Sequence, residues 1–179
     1  MSKISPLAFI DPEAKIGENC EIGPFCFIDK NVEIGDNNVL MNSVSVLYGA
    51  RIGNGNVIFP GAVISAVPQD LKFRGEETTA EVGDNNKIRE NVTINRGTAA
   101  KGKTCVGSGN LLMESVHVAH DAFVGNDCII GNGTKLAGEI IIDDHAIISA
   151  NVLMHQFCRV GGYTMVGGGT RFSQDIPPY

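Results

Sequence analysis

The sequence predicts an all-β protein: a parallel β-solenoid of triangular cross-section, wound from six-residue repeats. Large apolar residues recur at every sixth position, and a small or slender residue follows four positions after most of them. A six-residue period matches neither an α-helix at 3.6 residues per turn nor one continuous strand at 2. It matches short strands separated by tight corners and stacked into a solenoid.

The repeat runs through almost the whole chain. Counted from Ile4, it has 26 positions, all large and apolar. They are Ile4, Ile10, Ile16, Ile22, Ile28, Ile34, Leu40, Val46, Ile52, Ile58, Ile64, Val82, Ile88, Ile94, Val106, Leu112, Val118, Val124, Ile130, Leu136, Ile142, Ile148, Met154, Val160, Val166 and Phe172.

Three repeats make an 18-residue coil with three walls. The grouping in threes stays in phase along the chain if residues 70–81 and 100–105 are loops that leave the prism at one corner and return. Seven of the eight third repeats then carry Gly at their second position, where a corner would require a positive φ. The same frame stacks Asn38, Asn56, Asn86 and Asn110 into a side-chain ladder. We expect one domain, residues 1–179, of about eight coils with two loop excursions.

Composition and charge exclude several classes of protein. The chain is 43% hydrophobic and 19% charged, which is too apolar for a disordered chain. A net charge of −6 argues against a general nucleic-acid binder. No apolar run approaches the ~20 residues of a membrane span, and the N-terminus has no signal-peptide core. We expect a cytoplasmic protein without stable membrane insertion.

The 18-residue coil groups the candidate functional residues. His120, which titrates near neutrality when unperturbed, is followed by Asp121, a candidate to orient its ring. Gly138 lies one coil further on the same wall and Gln156 two coils further, with His155 on the neighbouring column. A base and a bare backbone N–H in one line suit acyl transfer, which needs a proton acceptor and an oxyanion donor.

Several segments make the chain resemble the acyl-carrier-protein:UDP-N-acetylglucosamine O-acyltransferases, within the left-handed parallel β-helix acyltransferases. The segments are Gln-Asp-Leu-Lys-Phe-Arg-Gly-Glu (69–76), Ile-Arg-Glu-Asn-Val-Thr-Ile-Asn-Arg-Gly (88–97), Asn-Leu-Leu-Met (110–113), His-Val-Ala-His-Asp (117–121), Leu-Ala-Gly (136–138), His-Gln-Phe-Cys (155–158), Met-Val-Gly-Gly (165–168) and Gln-Asp-Ile-Pro-Pro-Tyr (174–179). The resemblance implies a left-handed parallel β-helix.

The resemblance also implies the roles of residues. His120 would be the general base, Gly138 N–H would hold the oxyanion, and Gly168 would leave room for a long acyl chain. The candidate substrate-binding residues are Gln69, Asp70, Lys72, His117, His155 and Gln156.

The implied reaction moves a 3-hydroxyacyl chain from acyl carrier protein to the 3-hydroxyl of UDP-N-acetylglucosamine, the first step of lipid A biosynthesis. It implies a homotrimer with no metal and no cofactor, because the acyl donor is carried on the phosphopantetheine of the carrier protein. The family continues into a C-terminal helical domain that is absent from this sequence, and it commonly has His where this chain has Glu139. We therefore expect weak binding of the nucleotide sugar.

Three alternatives remain open at this stage. Hexapeptide transferases that use acyl- or acetyl-CoA share the fold and a His base, and a panel of acyl donors separates them. A γ-type carbonic anhydrase uses this prism with three histidines, and metal analysis separates it. A structural or ice-binding solenoid should repeat one flat polar wall, which the two loops interrupt.

Overall fold

The computed structural model describes residues 2–179, and within them the chain forms three parallel β-sheets and no helix. We call the sheets A, B and C. Strands follow the chain in the order A, B, C, so that three consecutive strands make one coil. The triangular solenoid predicted from the repeat is confirmed.

The strands are short, two to four residues each. Sheet A contains β1 (Lys3–Ile4), β4 (Glu21–Ile22), β7 (Val39–Leu40), β10 (Val57–Ile58), β13 (Lys87–Ile88), β16 (Leu111–Leu112), β19 (Ile129–Ile130), β22 (Ile147–Ile148) and β25 (Met165–Val166). Sheet B contains β2 (Phe9–Ile10), β5 (Phe27–Ile28), β8 (Ser45–Val46), β11 (Val63–Ala66), β14 (Thr93–Asn95), β17 (His117–Val118), β20 (Lys135–Leu136), β23 (Leu153–Met154) and β26 (Arg171–Phe172). Sheet C contains β3 (Lys15–Ile16), β6 (Glu33–Ile34), β9 (Ala50–Ile52), β12 (Thr79–Val82), β15 (Lys103–Val106), β18 (Phe123–Val124), β21 (Ile141–Ile142) and β24 (Arg159–Val160).

Two excursions interrupt the winding, and the strands that follow them resume the register of the repeat. Both leave sheet B and return to sheet C: residues 67–78 between β11 and β12, and residues 96–102 between β14 and β15. The predicted corner is right, but the predicted bounds of 70–81 and 100–105 lie three to four residues too late. The residues just before Val82 and Val106 continue the strand pairing, Glu81 opposite Cys105, instead of belonging to the loops.

The repeat positions form the core. From Ile22 to Val166, every position of the repeat is buried, because its side chain points into the prism. The first coil is more open, and Ile4 is 48% exposed. Within residues 2–179, no helix exists that would be long and apolar enough to cross a membrane.

The asparagine ladder lies inside the prism, at the corner between sheets C and A. The four asparagines of the ladder are fully or almost fully buried. The side-chain N–H groups of Asn86 donate to Asn56 Oδ1 at 3.0 Å and to Gly107 O at 2.9 Å, and its Oδ1 accepts from Asn110 N at 2.8 Å. Each amide therefore satisfies a backbone C=O and a backbone N–H of the next coil, and its own buried polar atoms are paired in return.

The corner glycines have a different cause from the one predicted. Gly35 and Gly53, like the other second-position glycines, do not have positive φ; that conformation is taken at other positions, most of them Asn, Asp, Ser or a different Gly. A Cβ on Gly35 would come within 2.7 Å of Gly53 O, and one on Gly53 within 2.8 Å of Gly83 O. These glycines are present because successive coils approach too closely for any side chain.

We expect the ladder to be sensitive to loss of a single amide. Asn86→Leu leaves Asn110 N–H and Gly107 C=O buried without their partner, which should destabilise the protein by about 2–4 kcal/mol. The midpoint of urea unfolding measures the effect. The matched variant is Asn42→Leu at an exposed corner, where a change within about 0.5 kcal/mol is expected. Equal midpoints for the two variants would contradict the role of the ladder.

Candidate active site

The candidate site lies along the corner between sheets B and C, which we call the B–C corner. His120 follows β17 at this corner, and Gly138 and Gln156 follow β20 and β23. The backbone connects them in order: Glu139 N donates to His120 O at 3.1 Å, and Phe157 N donates to Gly138 O at 3.2 Å. The predicted column of residues 120, 138 and 156 is therefore present.

His120 and Asp121 form a hydrogen-bonded pair. His120 Nδ1 lies 2.8 Å from Asp121 Oδ2, and the His120 side chain is mostly buried, with 16% exposed. An ionised carboxylate only accepts hydrogen bonds, so Nδ1 carries the proton in this pair. Neutral His120 consequently has its lone pair on Nε2, the atom available to take a proton.

Asp121 lies at the B–C corner with a positive φ of 60°, and its side chain is buried. Burial alone would raise the pKa of Asp121. Hydrogen bonds from Thr98 and from His120 outweigh the burial, and the pKa of Asp121 lies below its usual range. The carboxylate is thus ionised at neutral pH and can stabilise a positive charge on His120.

Gly138 lies directly against the ring of His120. A Cβ on Gly138 would come within 2.7 Å of His120 Cε1 and 2.8 Å of Nε2. Glycine is required here because the ring occupies the space of a side chain. Within residues 2–179, no hydrogen-bond acceptor pairs with Gly138 N–H, which leaves this donor unpaired.

His117 is a second, half-buried histidine on the outer face of sheet B. Its Nδ1 lies 2.7 Å from Thr93 Oγ1. Burial lowers the pKa of His117, and the nearby positive charges of Lys135 and His120 lower it further. His117 is therefore neutral at pH 7 and suited to hydrogen bonding.

The other predicted residues toward the C-terminus are exposed. Gln156 continues the column, and His155 Nδ1 lies 3.2 Å from Gln156 O. Gly168 is at the corner between sheets A and B, across sheet B from His120. Within one chain, Gly168 is therefore not adjacent to the His120 ring.

The first excursion projects from the B–C corner two coils before His120. Lys72 and Gln69 are exposed, and Asp70 Oδ1 accepts Lys72 N at 2.9 Å, a local turn. Leu71 at the tip is 95% exposed. Within residues 2–179, no hydrogen bond or ion pair joins Lys72 or Asp70 to His120 of the same chain.

Arg96 fastens this excursion, and the sequence analysis did not find it. Its guanidinium carbon lies 5.2 Å from the ring centroid of Phe73 in the excursion and 5.5 Å from that of Tyr48 on the prism. Asn95 adds a hydrogen bond from Nδ2 to Val67 O at 3.2 Å. In the described part of the chain, Asn95 Oδ1 and Arg96 Nε are the buried side-chain polar atoms without a protein partner.

The second excursion supplies further residues that the sequence analysis missed. Thr98 and Lys101 contact the Asp121 carboxylate. The only signal in the sequence was the interruption of the repeat at this point. Among residues 2–179, no three His, Cys, Asp or Glu side chains come close enough together to hold a metal ion.

No protein-family model matches the sequence. The similar proteins found by comparison carry the same kind of name, as the following three show. The acyl-[acyl-carrier-protein]–UDP-N-acetylglucosamine O-acyltransferase of Aliarcobacter butzleri (strain RM4018) is 46% identical over 180 residues, which cover 100% of this chain and 69% of that protein. The crystal structure of a UDP-N-acetylglucosamine acyltransferase from Bacteroides fragilis 9343 is 76% identical with a TM-score of 0.97, covering 98% of this chain and 69% of that one. An Arabidopsis UDP-N-acetylglucosamine acyltransferase is 32% identical with a TM-score of 0.84, covering 98% and 69%.

A β-helix of six-residue repeats with a hydrogen-bonded His–Asp pair at one corner is typical of the hexapeptide-repeat acyltransferases, and the winding is the left-handed one of these relatives. Within this class, the chain belongs to the acyl-[acyl-carrier-protein]–UDP-N-acetylglucosamine O-acyltransferase family. The family resemblance stated from the sequence is confirmed.

Arg96→Ala should loosen the first excursion. Two cation–π contacts are lost, each worth about 0.5–1 kcal/mol at a partly exposed site. Opening of the loop should then become about fivefold or more frequent, and trypsin should cut faster after Lys72 and Arg74. Mass spectrometry of limited digests measures the rate. Arg89→Ala, which removes a similar stack on Phe59 outside the excursion, is the control; equal rates in both variants would exclude the anchoring role.

Proposed function

We propose that this chain transfers a 3-hydroxyacyl chain from acyl carrier protein to the 3-hydroxyl of UDP-N-acetylglucosamine, the first step of lipid A biosynthesis. The observation that carries the proposal is the arrangement of His120: Nδ1 is held by buried Asp121, and the ring lies across Gly138. Nε2 and the unpaired N–H of Gly138 would thus act on the same substrate.

His120 acts as the general base in this proposal. Nε2 takes the proton of the sugar 3-hydroxyl as its oxygen attacks the thioester carbonyl. The imidazolium that forms is stabilised by the Asp121 carboxylate, as in other His–Asp pairs.

Gly138 N–H donates to the oxyanion of the tetrahedral intermediate. When this intermediate collapses, the new C–O bond remains and the C–S bond breaks. The proton on Nε2 then passes to the phosphopantetheine thiolate. The reaction is balanced without a cofactor bound to this chain, since the donor brings its own phosphopantetheine.

Substrate contacts come from the first excursion and from the downstream part of the B–C corner. Lys72 offers an ammonium group to a phosphate, and Asp70 and Gln69 offer acceptors to sugar hydroxyls. Lys72 has no ion-pair partner within residues 2–179, which leaves its charge available.

The remaining assigned positions lie around sheet B. His117 next to the base, and His155 and Gln156 beyond Gly138, line the proposed path of the substrates. The acyl chain would then cross the outer face of sheet B toward Gly168, where the absence of a side chain leaves room for its far end.

A homotrimer in the cytoplasm completes the proposal. Outward side chains of sheet A form an apolar column, in which Ile129 is 37%, Ile147 38% and Met165 73% exposed on one chain. Contiguous exposed apolar surface of this kind is typical of interfaces. In a trimer, the first excursion of one chain can reach the B–C corner of the next.

His120→Ala should remove most of the turnover because the reaction loses its base, by about 10²–10⁴-fold in kcat. Transfer from several carrier-linked acyl donors to UDP-N-acetylglucosamine, followed by mass spectrometry, measures it. His145→Ala, at an exposed histidine of another corner that stacks on Tyr163, is the control and should keep the wild-type rate. A His120→Ala rate within tenfold of wild type would refute the assigned base. A wild type that transfers no acyl group would refute the function.

Gly138→Ala tests the contact with the ring. The new methyl group displaces His120 because no space is left beside Cε1 and Nε2. A shift of this size should lower kcat about 10²-fold. Gly167→Ala is the matched control, since its Cβ meets nothing closer than Thr170 Oγ1 at 3.8 Å. An active Gly138→Ala enzyme would show that the ring position is not critical.

A further inference from the structure

The Asp121 carboxylate accepts hydrogen bonds from several groups in addition to His120. Oδ1 accepts Thr98 N at 3.0 Å and Lys101 N at 3.2 Å. Oδ2 accepts Thr98 Oγ1 at 2.6 Å and faces His120 Nδ1 at 2.8 Å. Three of these four donors come from the second excursion.

Residues at the same place in later coils show what the excursion changes. Glu139 and Phe157 follow Asp121 in the column, with φ of 59° and 68° against 60° for Asp121. Phe157 is 62% exposed, whereas Asp121 is 1% exposed, because only Asp121 is covered by residues 96–102. A corner without an excursion therefore leaves the side chain at the Phe157 position in water. At Asp121, the excursion excludes water and supplies hydrogen-bond donors in its place.

We propose that Thr98 is a positioning residue for the reaction: its hydroxyl and amide hold the Asp121 carboxylate in the orientation in which Oδ2 receives the Nδ1 proton of His120. The inference rests on the proposed function and extends it from His120 and Asp121 to a third residue. An O–H···O⁻ contact of 2.6 Å is the length of a charge-assisted hydrogen bond, which is strong and directional.

The hydroxyl of Thr98 controls which oxygen faces the histidine. Both backbone donors lie on Oδ1, so Oδ2 is oriented by Thr98 Oγ1 and by His120 alone. Without the hydroxyl, the excursion holds the carboxylate only at Oδ1, and Oδ2 keeps His120 as its one hydrogen-bond partner. The Nδ1–H tautomer of His120, which keeps Nε2 free to accept a proton, loses part of its preference.

Thr98 also has a structural role in the excursion. Its Oγ1 accepts Ala100 N at 3.2 Å, and its C=O accepts Gly102 N at 2.7 Å. A loss of activity alone would therefore not separate positioning of Asp121 from folding of the loop. The tautomer of His120 separates them when it is compared between variants that keep the melting temperature of the wild type.

The variants are Thr98→Val, which keeps the shape and removes the hydroxyl, and Thr98→Ser, which keeps the hydroxyl. Thr98→Ala replaces the valine variant if the latter does not fold. The control is Thr104→Val: Thr104 Oγ1 accepts Asp121 N at 2.8 Å, so this variant disturbs the same buried corner but not the carboxylate. Each variant is first checked for folding by its melting temperature.

The first measurement is the ¹⁵N spectrum of histidine-labelled protein, in which the signals of the four histidines are assigned by single His→Gln variants. The wild type, Thr98→Ser and Thr104→Val should show His120 protonated on Nδ1. Thr98→Val should show a mixture of the two tautomers. The second measurement is acyl transfer, where Thr98→Val should lower kcat about tenfold to a hundredfold with little change in KM, and Thr98→Ser should restore most of it.

The outcomes separate this inference from the proposed function. Unchanged His120 tautomers in Thr98→Val, or a mixture that appears equally in Thr104→Val, would overturn the positioning role while acyl transfer by the wild type still stood. A wild type without acyl transfer would overturn the function, while the spectra would still decide whether Thr98 sets the tautomer of His120.

Discussion

Parallel pairing of each strand with the strand one coil later is the constraint on which the rest of the structure depends. Ile130 pairs with Ile148, and Ile148 with Val166, so a residue lies above the one 18 positions earlier. This register stacks the apolar repeat into one core and the buried asparagines into one ladder. It also places Gly138 on His120, since the two residues occupy equivalent places in successive coils. A chemical site and a hydrophobic core thus have the same geometric origin.

The excursions add what a regular prism cannot supply. Without an excursion, the B–C corner exposes the side chain at the position that Asp121 occupies, as Phe157 shows, and exposed carboxylates do not orient a histidine well. Residues 96–102 cover Asp121 and surround it with donors, so the carboxylate remains ionised although it is buried. Residues 67–78 extend Lys72 beyond the prism, and Arg96 holds Phe73 of that loop. Strand register continues across both insertions, since Val57 pairs with Lys87, and Lys87 with Leu111.

The sequence predicted what is periodic and missed what is not. The period of six and the grouping in threes gave the sheets, the asparagine ladder and the column of residues 120, 138 and 156, because these depend only on spacing. The contacts of Thr98 and Arg96 depend on how two irregular segments fold back onto the prism, and no spacing rule reaches them. The ends of the loops were misplaced for a related reason: Glu81 and Cys105 extend their strands outside the six-residue frame. The corner glycines were located correctly and explained wrongly, since close approach of coils, and not positive φ, requires them.

Gly138 shows how one residue meets two demands of the site at once. The absent side chain makes space for the His120 ring, so that Nε2 lies over the backbone of the next coil. The N–H of the same residue has no acceptor among residues 2–179 and is left to bind another group. In the proposed mechanism, the general base and the oxyanion donor therefore lie one coil apart, at the ~4.8 Å spacing of neighbouring strands. That spacing is set by the pairing of the strands, which would supply the preorganisation that acyl transfer requires.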